Sequence, residues 1–268
     1  MKRNIQYTSI IIIFVLLSIW QPTTNALSNI SNEIPGKQAA NSFIYLPIIT
    51  KPSCPPADGI RLQFSIVTSG NIGITSEVDT FNFCGTAGDI VRLDISQTSG
   101  SFNPDVDIYR ADGSLLCSES TVATSLSVEC TLDVTGTYVI LIGDWAINDT
   151  GGYAFYLQRL NNPTGSVPVN YSDVVPATIT SIVEHDTYNF SGTAGDIIRL
   201  DISQTSGGFN PDVDIYRADG SLLCAESTVA SSLSVECTLD ITGTYVILIG
   251  DWAINDTGGY TFSLSKLN

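Results

Sequence analysis

The sequence predicts an all-β fold made of two tandem antiparallel β-sandwich domains, and three observations support it. Residues 77 to 161 recur as residues 184 to 268 at a constant offset of 107, with 12 differences over the 85 aligned positions. Solenoid units are about 20 to 50 residues long, so this longer period indicates two separate globular domains joined by a linker. Within each copy, apolar and polar residues alternate, and clusters of turn residues separate the alternating segments.

The alternating segments of the first copy are predicted to be half-buried strands. Their apolar positions are Val91, Leu93 and Ile95, then Leu126, Val128, Cys130 and Leu132, and then Tyr153, Phe155 and Leu157. Turn residues lie between them at 85–88, 103–105, 112–113, 135–136 and 150–152. Two earlier alternating runs, 60–64 and 167–171, are expected to open the domains. About eight short strands per domain at this spacing are typical of an antiparallel sandwich.

The N-terminus has the pattern of an export signal, followed by a leader. Lys2 and Arg3 precede the apolar run 10–20, which is too short to span a bilayer, and cleavage is expected after Ala26. The predicted organisation is a signal peptide at 1–26, a leader at 27–58, one domain at 59–161, a linker at 162–165 and a second domain at 166–268. The apolar leader segment 43–49 is either a strand docked on the first domain or a sticky peptide for a partner. The mature protein is expected to be secreted, without membrane insertion after signal cleavage.

The net charge of -16 narrows the choice of partners. An acidic surface repels phosphate backbones and anionic lipid headgroups, so nucleic acid and membrane surfaces are excluded as expected partners. Cations and basic patches on other proteins remain compatible with this charge. Acidic side chains that only keep an extracellular protein soluble are the alternative explanation.

The six cysteines predict three disulfides. Cys117 and Cys130 recur as Cys224 and Cys237, so each domain carries its own pair. This leaves Cys54 for Cys84, whose counterpart in the second copy is Ser191. A metal site is the competing interpretation, but exported chains are oxidised and the sequence has neither Cys-x-x-Cys spacing nor a second histidine.

The order of these motifs resembles the bacterial pre-peptidase C-terminal domain. The matching segments of the first copy are 77–83, 85–89, 105–109 with 112–113, 136–140 and 152–153, and the second copy repeats them. The resemblance implies non-catalytic, jelly-roll-like sandwiches, similar in fold to the collagen-binding domains of bacterial collagenases and usually attached to secreted peptidases or other exported proteins. No peptidase accompanies the two copies in this sequence.

The same resemblance implies Ca²⁺ as a cofactor, because the collagen-binding relatives bind calcium at the N-terminal side of the domain through oxygen ligands. The carboxylates in that region are Glu77, Asp79, Glu184 and Asp186. A second acidic group consists of Asp105 and Asp107 with their counterparts Asp212 and Asp214. Its spacing is not that of an EF-hand loop. The alternative is a solvated acidic face.

Four aromatic residues are candidates for ligand binding. Trp145 and Trp252 lie in the repeated segment Gly-Asp-Trp-Ala-Ile-Asn-Asp-Thr, where an exposed indole can anchor a protein or a glycan. The alternative for both is that the indole covers the core at a strand end. Tyr109 and Tyr216 are expected on the face opposite their apolar strand neighbours, where they could form an outer-sheet binding surface, as tyrosines do in the collagen-binding relatives.

No catalytic residue is predicted. The single histidine, His185, has Val78 as its counterpart and is interpreted as a surface or edge-strand residue. The sequence has neither a Gly-x-Ser-x-Gly elbow nor a His-Glu-x-x-His helix, and the Asp105–Asp107 pair lies on one strand beside a turn. The predicted function is an exported, non-catalytic protein that binds an extracellular polymer or protein. The alternatives are a structural or surface-assembly protein and a secreted hydrolase with an unrecognised site.

Overall fold

The computed structural model describes Cys54 and residues 60 to 268. The predicted signal peptide and the leader, including its apolar segment 43–49 but not Cys54, lie outside these residues. All regular elements of the described part are β-strands, so the all-β prediction is confirmed. No helix among the described residues could cross a membrane.

The two sandwiches have nine strands each, close to the eight or so that were predicted. The first contains β1 (Ile60–Arg61), β2 (Val67–Ile72), β3 (Val78–Gly85), β4 (Ile90–Gln97), β5 (Pro104–Arg110), β6 (Leu115–Ser120), β7 (Ser125–Thr131), β8 (Gly136–Asp144) and β9 (Gly151–Arg159). The second contains β10 (Val167–Pro168), β11 (Val174–Ile179), β12 (Asp186–Gly192), β13 (Ile197–Gln204), β14 (Pro211–Arg217), β15 (Leu222–Ser227), β16 (Ser232–Thr238), β17 (Gly243–Asp251) and β18 (Gly258–Lys266). The predicted domain boundaries themselves stay a prediction.

Each sandwich consists of a five-stranded and a four-stranded sheet. The first has the orders β1-β3-β8-β5-β6 and β2-β9-β4-β7, and the second repeats them as β10-β12-β17-β14-β15 and β11-β18-β13-β16. Most neighbouring strands are antiparallel, as predicted. The exceptions are the two-residue strands β1 and β10, which pair in parallel with β3 and β12.

The core of each sandwich lies between its two sheets, where the alternation predicted it. Val91, Leu93 and Ile95 of β4 are fully buried, and they face Ile140 and Ile142 of β8 in the same cluster. The second sandwich has a separate, matching cluster. Each copy therefore has a hydrophobic core of its own. Burying one large aliphatic side chain in such a core stabilises the folded state by about 1.5 to 3 kcal/mol.

The three predicted disulfides are confirmed. The Cα atoms are 6.3 Å apart in Cys117–Cys130, 6.4 Å in Cys224–Cys237 and 6.0 Å in Cys54–Cys84, within the bridgeable range. Cys117 is on β6 and Cys130 on β7, so this bridge and its counterpart each join the two sheets of one sandwich. Cys54–Cys84 ties the chain before the first sandwich to the end of β3.

The sequence predicted two separate domains, but the two sandwiches pack directly against one another. The outer face of the four-stranded sheet of the first sandwich meets the outer face of the five-stranded sheet of the second. The apolar side chains of this contact form two clusters, one with Ala154, Tyr156, Val183 and Ile254 and one with Leu160, Tyr216, Val246 and Leu248. Because both faces of β9 are therefore covered, nearly all of its residues are buried, whereas the equivalent β18 keeps the alternation of a half-buried strand.

Candidate functional site

The two tryptophan loops project their indoles into solvent. Trp145 follows β8 and is 52% exposed, and Trp252 follows β17 and is 54% exposed. The interpretation that these tryptophans cover the core is therefore wrong. Both tryptophans are exposed at the same place in the two copies, which fits their predicted role in ligand binding, since large aromatic side chains dominate binding interfaces.

A buried aspartate holds each loop in place. The carboxylate of Asp144 is almost fully buried and accepts hydrogen bonds from the backbone N–H groups of Asn103 (2.9 Å), Asn148 (3.1 Å) and Asp149 (3.2 Å). Burial alone would raise the pKa of Asp144, but these backbone donors outweigh it and hold the pKa below its usual value. The ionised carboxylate thus fixes the loop around Trp145.

The second loop repeats this arrangement. Asp251 accepts hydrogen bonds from the backbone N–H groups of Asn210 at 2.8 Å and of Asn255 and Asp256 at 3.2 Å. In each loop an isoleucine adopts a positive φ, 56° for Ile147 and 50° for Ile254, which is costly for a β-branched residue. Sequence analysis missed the role of both aspartates, although the repeated Gly-Asp-Trp segment contained the signal.

The predicted tyrosine surface exists in one copy at most. Tyr216 is 3% exposed and packs between the sandwiches, where its hydroxyl lies 3.2 Å from Asp214 and 3.3 Å from Glu129. The prediction that Tyr216 binds a ligand is therefore wrong, because the first sandwich covers it. Its counterpart Tyr109 is half-buried, with its hydroxyl donating to Asp107 at 3.3 Å.

The carboxylates of the first predicted calcium group bind protein donors instead. Glu77 accepts from the backbone of Gly73 at 2.6 Å, and Glu184 from the backbone of Thr180 at 2.7 Å. The two aspartates of this group accept from tyrosine hydroxyls, Asp79 from Tyr153 at 2.5 Å and Asp186 from Tyr260 at 2.7 Å.

The second predicted calcium group, Asp105 and Asp107 with Asp212 and Asp214, has different surroundings in the two copies. Asp214 pairs with Arg92 at 2.6 Å, while burial and the neighbouring Asp214 raise the pKa of Asp212 to about 7. Burial and the neighbouring Asp107 raise the pKa of Asp105 as well. No cluster of three or more histidine, cysteine or acidic side chains in the described part of the chain is arranged for a metal ion.

Calcium binding stays a prediction, which calorimetry tests. An ion that binds only the folded chain would raise the melting temperature by mass action. If the predicted site binds calcium, the melting temperature should be higher in millimolar calcium than in chelator. Coinciding melting curves would contradict the prediction and leave the alternative of a solvated acidic face.

A buried ionic network joins the two sandwiches. Arg92 on β4 contacts Asp94 at 3.0 Å and, across the contact, Asp214 at 2.6 Å. Burial alone would lower the pKa of Arg92 and raise that of Asp94, but the charges of the partners outweigh burial and shift both in the opposite directions. The network therefore stays charged at neutral pH.

His185 belongs to this network and not to the surface. It is 4% exposed, and its Nδ1 lies 3.2 Å from the carbonyl of Val183 and 3.6 Å from Asp94. The interpretation as a surface or edge-strand residue is wrong, because the first sandwich covers it. Burial lowers the pKa of His185 more than Asp94 raises it, so the imidazole is neutral at pH 7.

The comparisons with known proteins found solved structures only. No protein-family model matches the chain, and no curated protein matches it. The chain is similar in structure to the pre-peptidase C-terminal domain of collagenase from Bacillus anthracis (9% identity, TM-score 0.33), covering 40% of this chain and 100% of that domain. A periplasmic inhibitor of g-type lysozyme from Aeromonas hydrophila is similar over 38% of this chain and 96% of its own (14% identity, TM-score 0.31).

Tandem modules also occur among the similar structures. The two CBM51 modules of a family 98 glycoside hydrolase from Streptococcus pneumoniae align over 72% of this chain and 82% of their own (11% identity, TM-score 0.22). These are likenesses at low identity, and the family remains a resemblance.

Proposed function

We propose that this protein is a secreted, non-catalytic binding protein that holds an extracellular polymer or protein through its two tryptophan loops. The observation that carries the proposal is that both copies present the same indole, more than half exposed, on a loop fixed by a buried carboxylate. A loop of fixed shape loses little conformational freedom on binding, which favours affinity. Export is supported by the signal pattern and by the three disulfides.

The packing of the sandwiches sets how the two loops act together. A flexible linker would let them sample many separations, whereas the buried contact between the sandwiches holds Trp145 and Trp252 at one spacing. A polymer whose binding units match this spacing engages both loops at once, and the second contact forms at an effective concentration that can reach about millimolar. We therefore expect avidity for repetitive ligands and weak binding to single units.

The test uses the whole mature chain, because each sandwich covers part of the other. Retention is measured on peptidoglycan, collagen-like and polysaccharide matrices for the wild type, Trp145→Ala, Trp252→Ala and the double variant. We expect either single change to lower retention about a hundredfold where both loops engage, and the double change to abolish it. Because both indoles are exposed, the melting temperatures should stay within a few degrees of the wild type. A double variant retained as well as the wild type would contradict the proposal.

Surface assembly is a second candidate, favoured by the form of the contact. Two near-identical sandwiches meet through different faces, a head-to-tail arrangement that forms open chains when it continues between molecules. Sedimentation of the mature chain over a range of concentrations tests it. Growth of the sedimenting species with concentration supports assembly, and a constant monomer argues against it.

A further inference from the structure

A groove runs beside Trp252 where the two sandwiches meet. The first sandwich supplies Arg92, Ser125 and Ser127, and the second supplies Asp212 and the indole of Trp252. Both sandwiches are needed to form this groove. An exposed indole beside hydroxyl and carboxyl groups offers a ligand both an aromatic face and hydrogen-bond partners.

The other tryptophan loop lacks this second wall. The counterparts of Arg92, Ser125 and Ser127 are Arg199, Ser232 and Ser234, which lie on the four-stranded sheet of the second sandwich. The Trp252 loop is seated against the first sandwich through Ile254, which is 6% exposed, whereas its counterpart Ile147 is 64% exposed. Two loops of identical sequence therefore have different surroundings.

The charges of the groove favour an uncharged ligand. The guanidinium of Arg92 is already paired with Asp94 and Asp214, so it has little charge left to attract an anion. The net charge of -16 adds a general repulsion of polyanions. Since the pKa of Asp212 is raised to about 7, this carboxyl is partly protonated at neutral pH and can both donate and accept a hydrogen bond.

We propose that this groove binds a neutral saccharide unit, with the sugar ring on the indole of Trp252 and its hydroxyl groups on Asp212 and Ser125. The inference rests on the proposed function and gives its ligand a chemical class. Sugar rings have an apolar face that packs on an aromatic ring and hydroxyl groups that need hydrogen-bond partners, and the groove supplies both. Trp145, without the wall from the first sandwich, contributes the indole alone.

The experiment titrates the whole mature chain with neutral gluco-, manno- and chito-oligosaccharides, and with uronic-acid oligosaccharides of equal length, and measures the heat of binding by isothermal titration calorimetry. We expect binding of a neutral oligosaccharide to be weakened at least about tenfold by Trp252→Ala and by Asp212→Ala. Asp212→Asn keeps a donor and an acceptor and should retain most of the affinity. Asp105→Ala, the same change in the first sandwich, is the matched control and should have no effect.

The outcomes separate this inference from the proposed function. Binding of no neutral oligosaccharide, or equal affinity in Asp212→Ala and the wild type, overturns the groove as a saccharide site. Preference for the uronic-acid series also overturns it. If polymer retention depends on both tryptophans but not on Asp212, the proposed function stands and only the groove fails. If retention depends on neither tryptophan, the proposed function fails as well.

Discussion

The outer faces of the two five-stranded sheets have nearly the same sequence but different surroundings. In the second sandwich, Val246 and Leu248 on β17 are buried against the first sandwich, while the equivalent Val139 and Leu141 on β8 are half-exposed. The same fold is thus compatible with a covered and a less covered face. The comparison teaches that a repeated sequence predicts a repeated fold but not a repeated environment, and therefore not a repeated function.

Several of the differences between the copies lie where the environments differ. On β9, the outward residues Ala154, Tyr156 and Gln158 are buried in the contact, and on β18 their counterparts are Thr261, Ser263 and Ser265, all half-exposed. His185, which replaces Val78, contacts the first sandwich as well. At four of the 12 differing positions, one copy therefore has a residue that lies in the contact, and the other copy has a residue that faces solvent at least in part.

The largest expected effect comes from Arg92, whose counterpart Arg199 lies on the equivalent strand but has a more exposed side chain. Arg92→Ala leaves Asp94 and Asp214 as uncompensated buried charges, so we expect a loss of about 3 to 5 kcal/mol in the free energy of unfolding. Arg199→Ala breaks only an exposed pair with Glu236, which solvent screens, and should therefore lower the stability much less. Urea unfolding measures both.

The opposite ranking, or equal losses in the two arginine variants, would show that the contact between the sandwiches contributes little in solution. The relative change is the informative quantity, because both variants remove the same side chain from equivalent strands.

Much of the fold could be predicted from the sequence because its signals are local. The alternation at Val91, Leu93 and Ile95 places these residues in the core without reference to the rest of the chain. The disulfides were also predictable, since the repeat itself assigns Cys117 to Cys130. The parallel pairing of β1 had no such signal, because two residues are too few to show a period.

The contact between the sandwiches could not be predicted, for a physical reason. Tyr216 and Tyr109 have identical neighbours in sequence, so only the presence of the first sandwich makes one of them buried. The signal that could have found the contact is the run of differences at 154, 156 and 158. Three apolar or amide side chains at alternate positions of a supposedly solvated face are unusual for a strand exposed on that side.

The next effect in size concerns Tyr156, whose counterpart is Ser263. Tyr156 packs against Val183 and Ile254, and its hydroxyl donates to the carbonyl of His185 at 3.1 Å. Tyr156→Ser leaves a cavity in the contact and should cost about 2 to 4 kcal/mol. The reverse change, Ser263→Tyr, falls on a half-exposed strand and should alter stability by less than about 0.5 kcal/mol. Thermal unfolding compares the two, and equal effects would contradict the asymmetry of the two faces.

The smallest effect is a pH dependence that distinguishes His185 from Val78. The folded chain keeps His185 neutral, with a pKa below its usual value because of burial, while the unfolded chain protonates it near pH 6.5. As the pH falls below about 6.5, the unfolded state therefore binds the extra proton and stability is lost, at up to about 1.4 kcal/mol per pH unit. Asp212 has the opposite effect on the pH dependence of stability. Burial raises its pKa in the folded chain to about 7, so the folded state binds more protons than the unfolded state, and stability is lost as the pH rises towards 7.

Comparison of the wild type with His185→Val, which restores the residue of the first copy, isolates the histidine, because Asp212 is present in both proteins. We expect the stability of the wild type relative to this variant to decrease from pH 6.5 to pH 5 in urea unfolding. Val78→His adds an imidazole at the equivalent exposed position and should leave the pH profile of the wild type unchanged, since the folded and unfolded states then bind the proton equally. Parallel profiles for the wild type and His185→Val would mean that His185 is accessible to protons in the folded protein, and that the sandwiches do not keep it enclosed.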